Sequence, residues 1–240
     1  LYEAVTRSVE SLAPAYEMLF IDDGSTDRSL AVLQELYARD GEHVRIIQFR
    51  RNFGKTAALA AGFAHARGEV VVTLDADLQD DPAELPKLLA KLEEGYDLVG
   101  AWRVDRQDPI SKRWPSRLAN ATVSALTGIR LHDLNCGFKV YRREVVQDLK
   151  LYGELHRYIP VLAHWKGYRI AEVPVTHHPR RFGRSKYGLK RLVRSYIDFL
   201  SVLFLTTYLK RPMHLFGMLG SVFALVGAVI MLYLAALWVI

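Results

Sequence analysis

A doubly wound α/β fold built on a mostly parallel sheet is the architecture this sequence predicts. Three observations carry the prediction. Short apolar, β-branched runs alternate several times with stretches of helical apolar spacing, the pattern of successive βαβ units. The run Val70-Val71-Val72-Thr73-Leu74 shows no polar alternation, as expected of a strand covered on both faces. No hairpin signal interrupts the alternation, and the single cysteine, Cys136, excludes an internal disulfide framework and a thiolate zinc cluster.

The 240 residues suffice for one α/β domain and an appendage. Half of them are hydrophobic, and the excess lies in the last part of the chain. The net charge is +6, with bases clustered between Arg180 and Arg194, which suits phosphates, an anionic membrane surface or nucleic acid. The chain starts at Leu1 rather than Met and stops at Ile240 inside an apolar run. Both ends read as cut, so an incomplete gene product is expected.

Taken in order, residues 1–12 place Val5, Val9 and Leu12 at helical spacing, and Pro14 ends the helix. Residues 18–21 form a short buried strand. It runs into Asp22-Asp23-Gly24-Ser25-Thr26-Asp27, where Gly24 allows a tight turn. Ser25, Thr26 and Asp27 all suit the N-cap of a helix that runs to about Ala38. Capping does not account for the doubled Asp22-Asp23 at a strand end, where carboxylates can accept from a base or a ribose. Residues 43–49 are the next strand. Gly54-Lys55-Thr56 then opens an Ala-rich helix, but a P-loop requires glycine where Phe49 stands and is rejected. What remains is a glycine turn with cationic Lys55 at a helix N-terminus, either facing an anion or simply exposed. Gly68 closes that helix.

The strand at 70–74 stops abruptly at Asp75-Ala76-Asp77-Leu78-Gln79-Asp80-Asp81-Pro82. Ligand sites in open α/β sheets lie beyond the carboxyl ends of strands. Clustered oxygens without thiolates or an HExxH motif suit a hard cation such as Mg2+ or Mn2+, which completes its shell with water and phosphates. The alternative is a solvated acidic turn capping the following helix. Leu85, Leu88, Leu89 and Leu92 mark that helix as far as Gly95, and residues 97–102 are a further strand. Arg103, Arg106, Lys112, Arg113 and Arg117 follow, among Pro109 and Pro115, as a solvated basic face or a flap over phosphates. Asp133, in Asp133-Leu134-Asn135-Cys136-Gly137-Phe138-Lys139, reads as a site carboxylate or a turn residue. Residues 156–165 are expected to be helical, and 170–175 a strand broken by Pro174. In His177-His178-Pro179-Arg180-Arg181-Phe182-Gly183-Arg184-Ser185-Lys186-Tyr187, a glycine hinge and a hydroxyl interleave with bases, which suits a loop closing over phosphate. The paired histidines lack zinc-ligand spacing.

Residues 196–211 form an apolar stretch ended by Lys210-Arg211, too short to span and expected to lie at a membrane interface. Residues 213–240 contain no Asp, Glu, Lys or Arg and are long enough to cross a bilayer. Bases just before the span put the preceding domain, residues 1–195, on the cytoplasmic side of the cell's inner membrane. Bases tied to a membrane anchor argue against nucleic acid as a partner.

Together, Asp22-Asp23-Gly-Ser-Thr-Asp27, Asp75-Ala-Asp77-Leu-Gln79 and Arg180-x-x-Gly183-x-Ser185-Lys186 resemble family 2 glycosyltransferases with a GT-A, Rossmann-like fold. Within that family the chain is similar to the polyprenyl-phosphate sugar synthases, the group of dolichyl-phosphate mannose synthase. The resemblance implies that Asp22, Asp23, Lys55 and Asp75 bind the nucleotide sugar. It implies metal ligation by Asp75, Asp77 and Gln79, with Asp77 and Asp133 as catalytic carboxylates. Arg103, Arg117, Arg180, Ser185 and Lys186 would hold the donor diphosphate and the acceptor phosphate. The family's first strand precedes Leu1 and is absent from this sequence.

The implied reaction is metal-dependent, inverting transfer of a hexose from UDP-glucose or GDP-mannose to a polyprenyl phosphate. The implied partners are the nucleotide sugar, the lipid phosphate and the bilayer, with homo-oligomers left open. A processive polysaccharide synthase is a rival reading, but its Gln-x-x-Arg-Trp motif is replaced here by Glu154-Leu155-His156-Arg157-Tyr158. A silent scaffold binding anionic lipid would have no use for Asp75, Asp77 and Gln79.

Overall fold

The computed structural model describes residues 1–13, 15–104, 128–129, 131–176, 178, 201, 204 and 212–239. The chain divides into two units, Leu1–Gly188 and Leu189–Ile240. In the first unit, α1 (Tyr2–Val9), β1 (Met18–Asp22), α2 (Ser29–Arg39), β2 (Val44–Gln48), α3 (Lys55–His65) and β3 (Val70–Thr73) alternate as the sequence predicts. A 3-10 turn (Pro82–Glu84) leads into α4 (Leu85–Glu93) and β4 (Leu98–Arg103). β5 (Lys139–Arg142), α5 (Arg143–Asp148), a 3-10 turn (Leu155–Tyr158), α6 (Ile159–Trp165) and β6 (Ile170–Val175) complete the unit.

The fold class is α/β, and its ladders are mixed. β1 pairs with β2 in parallel, from Met18 opposite Val44 to Asp22 opposite Gln48. The second sheet has the order β3-β5-β4-β6. β4 and β6 are parallel, whereas β5 runs antiparallel to both β3 and β4. β3 and β4 therefore point the same way, and their carboxyl ends share one edge of the sheet. Hydrophobic side chains cover β4 and β5 on both faces by simple alternation. Leu98 and Tyr141 pack with Phe63 of α3, Val145 of α5 and Ile159 of α6. Val99, Ala101 and Val140 pack on the other face with Leu85, Leu88 and Leu92 of α4.

β1 and β3 belong to separate sheets, and no ladder joins them among the described residues. At their amino ends, Glu17 accepts the Arg67 N–H at 2.7 Å and the Arg45 guanidinium at 2.7 Å. α3 lies across both strands: Gly62 faces Ile21 of β1, and Phe63 packs with Val71 of β3.

Several expectations need correction. β3 is not covered on both faces, since Val70 and Val72 are 39% and 40% exposed while Val71 is buried. The Val71 face meets α3 and α5. Pro174 does not break β6: it stands opposite Trp102 in a ladder that, among the described residues, β6 makes with β4 alone, and an edge strand tolerates the missing N–H. The N-cap of α2 is Arg28, without a side-chain bond, while Asp27 Oδ1 accepts the Ser29 N–H at 2.9 Å. The carboxylate thus satisfies a first-turn donor from one residue outside the expected position. β5 and α5 were not anticipated.

In the second unit, α7 (Pro212–Val239) is one helix with exposed apolar side chains such as Phe223, Leu225, Met231 and Leu232. Among the described residues it is the one helix long and apolar enough to cross a membrane. The expected interfacial helix at 196–211 lies outside the described residues, apart from Ser201 and Phe204.

Candidate active site

The carboxyl ends of β1 and β3 meet at the N-terminus of α3. Asp23 uses Oδ1 to accept the Phe53 N–H at 2.7 Å and Oδ2 to accept the Gly54 N–H at 2.9 Å, which pins the loop before α3. Gly24, at φ +70°, lies so close to that loop that a Cβ would stand 2.5–2.7 Å from the Arg51 and Asn52 backbone. The Asp-Gly pair is therefore occupied with the chain itself. Asp22 is buried; Oδ1 accepts the Ser25 N–H at 3.3 Å, and Oδ2 has no donor among the described residues.

Next along the crevice, the Lys55 ammonium bridges both oxygens of Asp75, at 2.6 and 2.7 Å. The Asp75 carboxylate lies flat on Gly137, where a Cβ would approach it to 2.6–2.8 Å. Thr73 Oγ1 donates to the Gly137 carbonyl at 2.8 Å and fixes this contact. Asp77 and Gln79 stay together in one turn: the Gln79 N–H donates to Asp77 Oδ1 at 3.2 Å. Leu78 between them has φ +57°, a left-handed conformation that costs energy in a residue with a Cβ. The turn ends at Asp81, whose carboxylate caps the 3-10 turn through the Ala83 N–H at 2.9 Å. The capping role weighed from sequence thus belongs to Asp81. Beside this turn, the His178 N–H donates to the Gln79 carbonyl at 2.8 Å, two residues before Arg180.

At the end of β4, Arg103 Nε and Nη2 donate to Asp133 Oδ2 and Oδ1 at 2.7 and 3.1 Å. Burial opposes the charge on Arg103, yet the hydrogen bonds and charge of Asp133 raise its pKa overall. Glu172 of β6 holds the Asp133 loop from behind, accepting the His132 and Asp133 N–H groups at 2.6 and 2.8 Å. Lys139 is buried and donates to the Cys136 carbonyl, and burial holds its pKa below the ordinary lysine value. The Cys136 thiol is pushed up to about 12 by burial, with the charge of Asp80 adding to the effect, so it is inert at neutral pH.

Among the described residues, no group of three or more His, Cys, Asp and Glu side chains could hold a metal ion. The oxygen set at Asp75, Asp77 and Gln79 still fits a hard cation that takes one or two protein carboxylates and draws the rest of its shell from phosphates and water. The ammonium already seated on Asp75 shows that this carboxylate attracts positive charge.

Sequence reading brought Asp22, Asp23, Lys55, Asp75, Asp77 and Gln79 to one region, and the structure gathers them around the start of α3 and the end of β3. Arg103 and Asp133 pair at the end of β4, on the same edge of the sheet as the end of β3. Arg117, Arg180, Ser185 and Lys186 lie outside the described residues. Gly137, Lys139 and Glu172 were missed. Gly137 and Lys139 stand in the quoted Cys-Gly-Phe-Lys stretch, but nothing in the sequence says that this loop meets Asp75.

Residues 1–150 match the family model described as Glycosyl transferase family 2. The chain is 41% identical over 238 residues to dodecaprenyl-phosphate galacturonate synthase of Rhizobium johnstonii, covering 98% of this chain and 70% of that protein. It is 40% identical over 226 residues to undecaprenyl-phosphate 4-deoxy-4-formamido-L-arabinose transferase of Pseudomonas aeruginosa, covering 94% of this chain and 65% of that one. Among solved structures, glucosyl-3-phosphoglycerate synthase from Mycobacterium tuberculosis, in complex with Mn2+, UDP-glucose and phosphoglyceric acid, superposes with a TM-score of 0.62 at 22% identity. That match covers 85% of this chain and 74% of the other. The family match and the two relatives together establish that this chain belongs to glycosyl transferase family 2, in the GT-A architecture that its motifs imply.

Proposed function

We propose that this protein transfers a sugar from a nucleotide diphosphate donor to a polyprenyl phosphate at the cytoplasmic face of the inner membrane. The observation that carries the proposal is the start of α3, where Asp23, next to Asp22 at the end of β1, holds the preceding loop and Lys55 pairs with Asp75 beyond the end of β3. The buried Asp22 Oδ2 is suited to accept an N–H or O–H of the nucleoside, because a buried carboxylate oxygen without a donor is costly. The lipid acceptor is supported by the names of both relatives, which share the polyprenyl phosphate and differ in the sugar. A hexose such as glucose or mannose, expected from sequence, stands beside galacturonate and a substituted arabinose as candidate cargo.

The metal, Mg2+ or Mn2+, would be held by Asp75, Asp77 and Gln79 and would supply Lewis acidity at the diphosphate leaving group. Lys55 is placed to neutralise the diphosphate, and Arg103 to neutralise a second phosphate at the end of β4. The attacking oxygen belongs to a lipid phosphate that is already ionised near neutral pH, so the chain need not supply a strong base. Asp133, with both oxygens on Arg103, acts by aiming that guanidinium. Arg117, Arg180, Ser185 and Lys186 complete the phosphate-binding set in this reading. A single displacement inverts the anomeric centre. α7 confines the enzyme to the plane that holds its acceptor, which raises their effective concentration.

The test is transfer of radiolabelled sugar from a panel of nucleotide sugars into organic-extractable lipid, with undecaprenyl and dolichyl phosphate as acceptors. Product must require a divalent ion, and Asp77→Ala is expected to lower the rate by about 100-fold. Label that enters polymer rather than lipid, or transfer indifferent to chelation, would refute the proposal.

A further inference from the structure

We propose that Lys55 is a latch on Asp75. It holds the carboxylate in the free protein, yields to the divalent ion, and then pairs with the diphosphate, so that metal and nucleotide bind cooperatively. The inference rests on the reading above that this crevice takes a metal-bound nucleoside diphosphate.

Both Asp75 oxygens are engaged by one ammonium, at 2.6 and 2.7 Å, so a metal ion that binds them meets the ammonium's charge at close range and is held less tightly until that contact opens. Asp75 is not the partner that can give way. Its carboxylate is pressed on Gly137, where even a methyl group would stand 2.6–2.8 Å from it. Gly137 is in turn held by the Thr73 hydroxyl at 2.8 Å and by β5, which starts two residues later. Lys55 is the partner that moves, because its ammonium stands at the end of a flexible four-carbon stem.

Charge balance then couples the two ligands. Asp75 acts electrostatically on Lys55 and on the buried Lys139, and the two lysines disfavour each other's charge. A dication that replaces Lys55 on Asp75 takes from the ammonium its carboxylate partner. A diphosphate gives Lys55 a new partner. The metal alone must therefore compete with Lys55, whereas the metal arriving with a nucleoside diphosphate does not. Linkage makes the effect reciprocal, so each ligand tightens the other by the same factor.

The experiment follows free Mn2+ by paramagnetic resonance with the full chain in detergent, with Mn2+ alone and with UDP or GDP added. In the unaltered chain, one of the nucleotides tightens Mn2+ binding. Lys55→Met is expected to bind Mn2+ alone roughly two- to fivefold more tightly, the worth of one exposed ion pair, and to lose most of the tightening by nucleotide. Lys55→Arg keeps the latch and the coupling. An unchanged melting temperature in both variants shows that neither acts through unfolding. A Lys55→Met chain that binds Mn2+ alone no better than the unaltered one, while nucleotide still tightens binding, overturns the latch and leaves the transferase reading standing. If neither nucleotide alters Mn2+ binding in the unaltered chain, latch and transferase reading fall together.

Discussion

Arg103 and Asp133 show what a charge pair does when it lies at the rim of a core. The Asp133 side chain is 2% exposed and the Arg103 side chain 18%, and two parallel hydrogen bonds join them. Removing Arg103 takes an ion pair and two hydrogen bonds from a carboxylate held in a region of low dielectric. Arg103→Met is therefore expected to cost about 3 kcal/mol of stability, and Arg103→Met with Asp133→Asn to cost less than the sum of the two. Denaturant unfolding of the two single variants and the double variant measures this. Equal additivity would show that the pair is not coupled. The sequence marked both residues as site candidates, but gave no sign that each is the other's partner.

The N-terminus of α3 is the element on which the site turns. It carries Lys55 towards Asp75, and it is anchored from the other side by Thr56 Oγ1 and His156 Nδ1, 2.6 Å apart. A neutral imidazole accepts from the Thr56 hydroxyl; a protonated one cannot. Burial, reinforced by the charges of Lys55 and Arg157, lowers the His156 pKa from 6.5 to about 4. The folded protein thus binds this proton less readily than the unfolded chain. The contribution to stability is complete above about pH 6.5 and is lost as pH falls towards about 4. At pH 5 the expected loss is about 2 kcal/mol. Thermal unfolding between pH 7 and 5 tests this, and His156→Gln should flatten the dependence. β3 teaches a second lesson at this scale: an apolar run states that a strand wants cover, and the neighbouring elements decide which face receives it.

For the molecule as a whole, the contrast is between the α/β unit and α7. A helix of 28 residues is about 42 Å long, more than the roughly 30 Å core of a bilayer, and its side chains are apolar along the exposed surface. Removing residues 212–240 is expected to shift the protein from the membrane pellet to the soluble fraction. Retention in the pellet would instead assign membrane attachment to the basic and apolar stretch from Arg180 to Arg211. The strand-helix alternation, the Asp-rich strand ends and the long uncharged segment were all legible in the sequence, because each is written in local periodicity or composition. β5 was not: Lys139-Val140-Tyr141-Arg142 is four residues long and bounded by charges, and only its place between β3 and β4 makes it a strand.

The amino-acid sequence by itself determined that an α/β domain would end several strands in carboxylates and be followed by a membrane-length helix. Apolar spacing and uncharged length are properties of a segment and need no partner. Tertiary structure alone decided that Asp23 is spent on the loop before α3, that Gly137 backs Asp75, that Lys55 covers it, and that Asp133 holds Arg103. These are contacts between segments 20 to 64 residues apart. Local pattern cannot encode them, because they arise only once packing has fixed which strand lies beside which.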